Sequence, residues 1–229
     1  MSTFSKPTIE SRPRFTNESI RDALSLWTRY RNRANSDYWK QYGPIEEWDT
    51  TGVTDMETLF YNKDRFNVDI SRWDVSNVTN MSFMFNGANL FNQDLSMWDT
   101  SSVKDMSHMF CCARFFNQDL SQWDVSSVRN MQCMFYQAVA FNQDLSRWNV
   151  AMVTDMRSMF FCTTLFNQDL SAWDVARVTD MSFMFRGARS FNQDLSGWDV
   201  SRVTDMNNMF SGVIPFNQDL SGWDVSVRE

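Results

Sequence analysis

FNQDLSMWDTSSVKDMSHMFCCARF, residues 91–115, is one unit of a pattern that governs most of the chain. FNQDL begins again at Phe116, Phe141, Phe166, Phe191 and Phe216, and a variant, FNVDI, begins at Phe66. Trp keeps the same step at Trp48, Trp73, Trp98, Trp123, Trp148, Trp173, Trp198 and Trp223, so the period is 25 residues without a slip. A fixed period of this length marks an array of stacked units. The general unit reads FNQDLSxWDVSxVTDMxxMFxxAxx.

Each unit contains two apolar patterns. LSxWDV is short and rich in large and β-branched residues, which predicts a strand. Met106, Met109, Phe110 and Ala113 fall at i, i+3, i+4 and i+7, which predicts about two turns of helix with Thr or Asp ahead of it as N-cap. Neither piece buries its apolar face alone, so successive units must stack. The expected fold is an α/β repeat solenoid of the leucine-rich-repeat kind, with one short parallel strand and one short helix per 25-residue coil. Strands stack more closely than helices, so the array is expected to curve with its strands on the inner side.

Two segments follow from the period: residues 1–43, an arm and capping helix, and residues 44–229, seven to eight repeats. In the first, Ile20, Leu24 and Trp27 form a helical stripe opened by Asn17 and Glu18. The array stops in mid-unit, at SGWDVSVRE, and its last face is expected to be open. Among 229 residues the 16 Met, 20 Phe and 10 Trp outweigh seven Gly and four Pro, which argues for an ordered core of large, soft side chains. No apolar run suits a signal peptide or a membrane span, which points to a cytoplasmic or virion-associated protein.

Charge is unevenly spread. Residues 1–40 carry eight Lys/Arg against four Asp/Glu, while the remainder is strongly acidic within a net charge of −7. An acidic body is unsuited to sheathing a phosphate backbone, so nucleic acid is not the expected partner and only the head could make such a contact.

Candidate chemistry is sparse. His108, the single histidine, occupies a place taken elsewhere by Phe83, Cys133, Ser158, Phe183 and Asn208, which suits a surface residue, and no nucleophile-elbow or phosphate-loop glycine pattern accompanies it. Neither an enzyme nor a small-molecule substrate or cofactor is expected. Two carboxylate columns stand out: Asp69, Asp94, Asp119, Asp144, Asp169, Asp194 and Asp219, and the Trp-following Asp74, Asp99, Asp124, Asp174, Asp199 and Asp224. The favoured reading has each carboxylate accept N–H groups of its own turn, with calcium between coils as the alternative. Asn149 in the second column favours the former. The Asn67 to Asn217 column suits an amide ladder, the Met81 to Met206 column suits core, and Cys111, Cys112, Cys133 and Cys162 suit free thiols in a reducing compartment.

What varies between units points to function. The residues after the Ser of FNQDLS include Arg72, Met97, Gln122 and Arg147; those before the second Val include Asn77, Met152, Arg177 and Arg202. Their irregular mixture fits a protein partner better than a regular lattice. The leading expectation is a non-enzymatic interaction or scaffold module using this strand face. The alternative is a structural assembly protein, joined head to tail through a basic head of Arg12, Arg14, Arg29, Arg31 and Arg33.

The WDVSxVTDMxxMF unit with FNQDLS ahead of it resembles the BspA-like surface-protein repeats of mycoplasma lipoproteins, over roughly residues 44–229. Ala23–Trp27 and Tyr42–Thr50 look like the lead-in of members from algae and large DNA viruses. The resemblance implies a leucine-rich-repeat-like solenoid used in surface contact without enzymatic activity. A signal peptide and lipobox, usual in the bacterial surface members, are absent from the sequence as given.

Overall fold

The computed structural model describes residues 13–30 and 41–223. Helix α1, Asn17–Tyr30, and a 3₁₀ turn at Ile45–Glu47 precede coils of 25 residues stacked one on the next. Each coil repeats the same turns, and the pairings that qualify as β are isolated parallel bridges: Asp55 to Asn80, Asn80 to Asp105, and so on to Asp180 with Asp205. This overturns the expected α/β solenoid. The described coils hold neither a strand nor a helix, and the leucine-rich-repeat analogy goes with them.

The failure of the predicted helix has a backbone cause. In Met81–Ala88, the N–H groups of Met84, Asn86 and Ala88 close i→i+3 bonds onto the carbonyls of Met81, Phe83 and Phe85. Phe83 and Gly87 take the left-handed conformation, with φ of 57° and 71°. Four of the others, the N–H groups of Met81, Phe83, Phe85 and Gly87, are thereby turned along the stack and donate to Asp105, Ser107, Met109 and Cys111 of the next coil at 2.8–2.9 Å, while that of Ser82 donates to Asn80 Oδ1 at 3.0 Å. A helix spends its N–H groups within itself. Here half of them join coils, so the i, i+3, i+4, i+7 spacing comes from consecutive turns that also bring every third or fourth residue inward.

The pattern repeats at each interface and is one-way: in this ladder N–H groups point toward the C-terminal end and carbonyls toward the N-terminal end. In the last described coil, Met206, Asn208, Phe210 and Gly212 offer the same N–H groups with no acceptor among the described residues.

The core is a set of aromatic columns. Phe85, Phe110, Phe135 and Phe160 stack at 5.5–5.8 Å with nearly parallel rings. The FNQDL phenylalanines from Phe91 to Phe191 stack at 6.0–6.1 Å, and the pairs Trp98–Trp123 and Trp148–Trp173 at 6.4 Å. These rings are buried, while Phe216 and Trp223 of the last described coil are only partly so, and Met81, Met106, Met131, Met156 and Met181 are buried with them. Coil-to-coil offset therefore widens from the ladder side to the tryptophan side. The expectation that the Trp-bearing segment lies where coils are closest is reversed, because the close spacing belongs to the backbone ladder.

Helix α1 stands in for the coil missing below the first one. Its stripe of Ile20, Ala23, Leu24 and Trp27 is buried, and Trp27 meets Phe66 edge-on at 5.7 Å. The Asn17 amide oxygen accepts the N–H groups of Thr54 and Asp55 at 2.8 and 3.1 Å. In later coils a carbonyl of the preceding coil takes the first of these roles, as Thr54 does for Thr79. Arg21 donates to the Glu57 carbonyl at 2.6 Å, filling the place of a ladder N–H, and its charge sits 3.6 Å from Asp55. The fit is incomplete at one atom: Trp48 Nε1 is buried without a partner, whereas later tryptophans donate to a Leu or Ile carbonyl below. Among the described residues no helix is long and apolar enough to cross a membrane.

Candidate functional site

The variable positions lie on the side opposite the ladder, on two ridges of turns flanking the tryptophan column. Leu120 to Trp123 closes one turn, the Trp123 N–H donating to the Leu120 carbonyl at 3.1 Å. Val125 to Val128 closes the next at 2.9 Å. Between them Trp123 points inward, and its indole N–H reaches the Leu95 carbonyl of the coil below at 3.0 Å. The exposed residue of the first turn is Gln122, and the same place is held by Arg72, Met97 and Arg147, all exposed; Met97 keeps 84% of its surface open to solvent. On the second ridge Asn77, Arg177 and Arg202 are exposed and Met152 is half-buried. The expected strand face is thus a face of turns, and its candidate residues come together as two adjacent rows.

Contacts within the rows are few and local. Asn77 Nδ2 donates to the Thr51 carbonyl one coil down at 3.1 Å, and Arg177 Nη1 lies 3.3 Å from Met152 Sδ. Arg72, Arg147 and Arg202 each sit near the carboxylate of Asp69, Asp144 and Asp199, helping to hold those groups in the charged form.

Both carboxylate columns belong to this face, and both are taken up by their own turns. Asp119 Oδ1 accepts the Ser121 N–H at 2.8 Å, and Asp124 Oδ1 that of Ser126 at 2.9 Å, with the same bonds in each described coil; Asp224 lies outside the described residues. Asn149 does likewise, accepting from Ala151 at 3.2 Å. In Asp69, Asp144, Asp194 and Asp219 the backbone N–H bond is the leading cause of a lowered pKa; in Asp99 and Asp199 the serine hydroxyl leads. Hydrogen bonding to the charged form lowers a carboxyl pKa, which is how like charges tolerate stacking here. No group of three or more His, Cys, Asp or Glu suited to a metal ion occurs among the described residues.

A third column, Asp55, Asn80, Asp105, Asn130, Asp155, Asp180 and Asp205, opens the ladder and carries the bridges. Reading it as helix N-caps misplaces it: each side chain accepts the N–H two residues on, as Asp105 does from Ser107 at 2.8 Å. Asp155 differs from the exposed columns, since burial raises its pKa. The clue in the sequence is Asp or Asn always followed by Met, a spacing that suits a turn as well as a cap. The asparagine column forms the expected ladder: Asn117 Oδ1 accepts from the Asn142 N–H and from Gln143 Nε2, both at 2.9 Å.

Other candidates fall elsewhere. His108 is on the ladder, left-handed at φ 56°, partly buried and stacked on Phe83 at 4.3 Å; burial, then Arg157, lowers its pKa. All four cysteines are free and lie on the ladder side, at positions the interaction reading does not use. Of the basic head, Arg12, Arg31 and Arg33 lie outside the described residues. Arg14 is bound to the first coil through the Thr51 carbonyl at 3.1 Å, and Arg29 also makes contacts within the molecule.

A family model described as a Mycoplasma protein of unknown function, DUF285, matches residues 31–148 and again 139–229. No curated protein and no solved structure matches the chain.

Proposed function

The chain belongs to this Mycoplasma DUF285 repeat family, and on that premise we propose that it is a non-enzymatic interaction module whose paired turn ridges contact another protein. One observation carries the reading. The invariant residues of the unit are consumed by the fold, as buried rings, buried methionines or turn-closing side chains, whereas the variable residues beside tryptophan are exposed and contribute little to it. Arg72, Met97, Gln122 and Arg147 differ from coil to coil with the backbone around them unchanged. Such freedom leaves these side chains available for contact, and Arg and Met are favoured at protein interfaces.

The test is capture of binding proteins from cells of the native source by immobilised protein, comparing wild type with a variant carrying Arg72, Arg147, Arg177 and Arg202 changed to Glu. A control carries Arg157 and Arg186 changed to Glu on the opposite side. The proposal expects a bound species lost in the first variant and retained in the control. Equal capture by all three, with each shown to be folded by its near-ultraviolet tryptophan signal, places the contact elsewhere.

A further inference from the structure

The four cysteines gather on one stretch of the ladder, and their surroundings are unequal. Cys111 is buried, and Cys112 beside it is partly open; Cys111 Sγ is placed to donate to Cys112 Sγ across 3.8 Å. Cys112 lines a groove of about 550 Å³ that crosses three coils, together with Asp64, Leu90, Arg114 and Phe115. Leu90 and Phe115 are strongly exposed apolar side chains, at 44% and 60%. Cys162 supplies an internal comparison. It holds the equivalent backbone position two coils on, with φ of 53° against 57°, and is likewise partly open. Its preceding residue is Phe161 rather than a thiol, and Thr164 stands where Arg114 does.

We propose that Cys112 is a site of reversible thiol–disulfide exchange with a small, carboxylate-bearing peptide disulfide, which the groove seats through Arg114 and the Leu90–Phe115 wall. In the step, Cys112 gives its proton to solvent and the thiolate attacks one sulfur of R–S–S–R. The Cys112–S–S–R bond forms as the original disulfide breaks, and RS⁻ leaves to take up a proton. The reagent is the oxidant: one of its sulfurs ends as a free thiol, the other in the mixed disulfide.

Three features favour Cys112 over the other cysteines. A donor thiol and a nearby guanidinium are the surroundings that make a cysteine reactive. The Cys111 hydrogen bond, opposed by burial and aided by Arg114, brings the Cys112 pKa from 9.0 down to about 7, while burial pushes Cys133 up to about 11 and the shared hydrogen bond and burial raise Cys111. The adduct is also protected from its neighbour. Adjacent Cα atoms lie about 3.8 Å apart, short of the roughly 4.4 Å minimum usual for a disulfide, so Cys111 is poorly placed to displace the bound thiol.

The experiment uses the full chain, reduced and then exposed to glutathione disulfide at pH 7, with acid quenching and peptide mapping by mass. A lowered thiol pKa raises the thiolate fraction near pH 7 by more than it cuts intrinsic nucleophilicity, so Cys112 is expected to react severalfold faster than Cys162. Cys162, which has Phe161 in place of the neighbouring thiol and Thr164 in place of the guanidinium, is the comparison within the same molecule. Changing Arg114→Gln is expected to slow glutathione disulfide severalfold more than it slows uncharged 2-hydroxyethyl disulfide. The proposal is overturned if Cys162 reacts as fast as Cys112, if a Cys111–Cys112 disulfide forms in place of the adduct, or if Arg114→Gln leaves the two reagents equally affected. The wild-type comparison needs no substitution and stands even if the variant folds poorly.

Discussion

The ladder side and the tryptophan side of each coil are built from the same 25 residues and held to their neighbours by different means. On the ladder side, four backbone N–H groups per coil donate directly to the next, and the left-handed residues at Phe83 and Gly87 and their equivalents make this possible. On the tryptophan side, backbone bonds close turns within the coil, and coils are joined by side chains: indole N–H to a carbonyl below, asparagine to the next main chain, ring on ring. Backbone joinery restricts conformation at every position it uses. Side-chain joinery restricts only the residues that make it. The tryptophan side is therefore where the sequence is free to vary without cost to the stack, and it is also where Arg72, Met97, Gln122 and Arg147 are found.

A proline separates the two sides most sharply. Cys133 has φ 54° and donates its N–H to the Arg157 carbonyl at 2.9 Å. Cys133→Pro removes that bond and demands φ near −65°, so a loss of about 3 kcal/mol or more is expected, enough to unfold a marginal chain. Arg147→Ala on the turn ridge is expected to change stability by less than about 0.5 kcal/mol. Urea unfolding of both variants measures the contrast; comparable losses would mean that the turn side is as constrained as the ladder.

The next effect tests the side-chain joinery. Trp123→Phe keeps an aromatic ring in the column and removes the donor to the buried Leu95 carbonyl, and a loss of about 1–3 kcal/mol is expected. A loss below about 0.5 kcal/mol would show that ring stacking alone holds this side together. Gln137, left-handed at φ 54°, reverses the sign: its equivalents Gly87, Gly187 and Gly212 show that glycine fits, so Gln137→Gly is expected to stabilise by up to about 1 kcal/mol in thermal or urea unfolding.

This contrast also explains how far the fold was legible. The period, the buried Phe, Trp and Met columns and the inward stripe of α1 follow from spacing, because ring size and periodicity survive any backbone solution that stacks the units. The backbone solution does not follow. Met106, Met109, Phe110 and Ala113 satisfy the helical template, and nothing in their side chains records that His108 and Cys112 between them turn left-handed. Gly87, Gly187 and Gly212 carry that signal, in a column that elsewhere holds Asn, Cys and Gln and so hides it. The turn face was legible as a set of exposed variable residues and mistaken only in its geometry, since LSxWDV satisfies strand propensity while its Asp and Ser close turns. Asn17 and Arg21 were beyond reach of spacing arguments, because their roles depend on which coil groups lie unpaired beneath α1.

The smallest effect concerns charge, and here the two sides should respond to acid in opposite senses. Asp69, Asp99 and Asp144 on the turn face have pKa values below 3.8, from the N–H and hydroxyl bonds of the following serines. A carboxyl depressed on folding adds stability that is fully present above its unfolded pKa and is lost as pH falls through the folded one. Asp155 on the ladder side is raised by burial, so its contribution is present below 3.8 and lost as pH rises through its folded value. The triple change of Asp69, Asp99 and Asp144 to Asn keeps an acceptor for each turn, as Asn149 does naturally. Its urea midpoint is expected to lie somewhat below wild type at pH 7, where the charge-dependent part of that stability is lost, and to fall less than wild type between pH 5 and pH 3. Asp155→Asn is expected to raise the midpoint at pH 7 and to steepen the loss on acidification. If the triple variant instead keeps the wild-type acid slope, these turn carboxylates are not what acid removes, and the separation between a backbone-bound side and a side-chain-bound side fails at its most exposed residues.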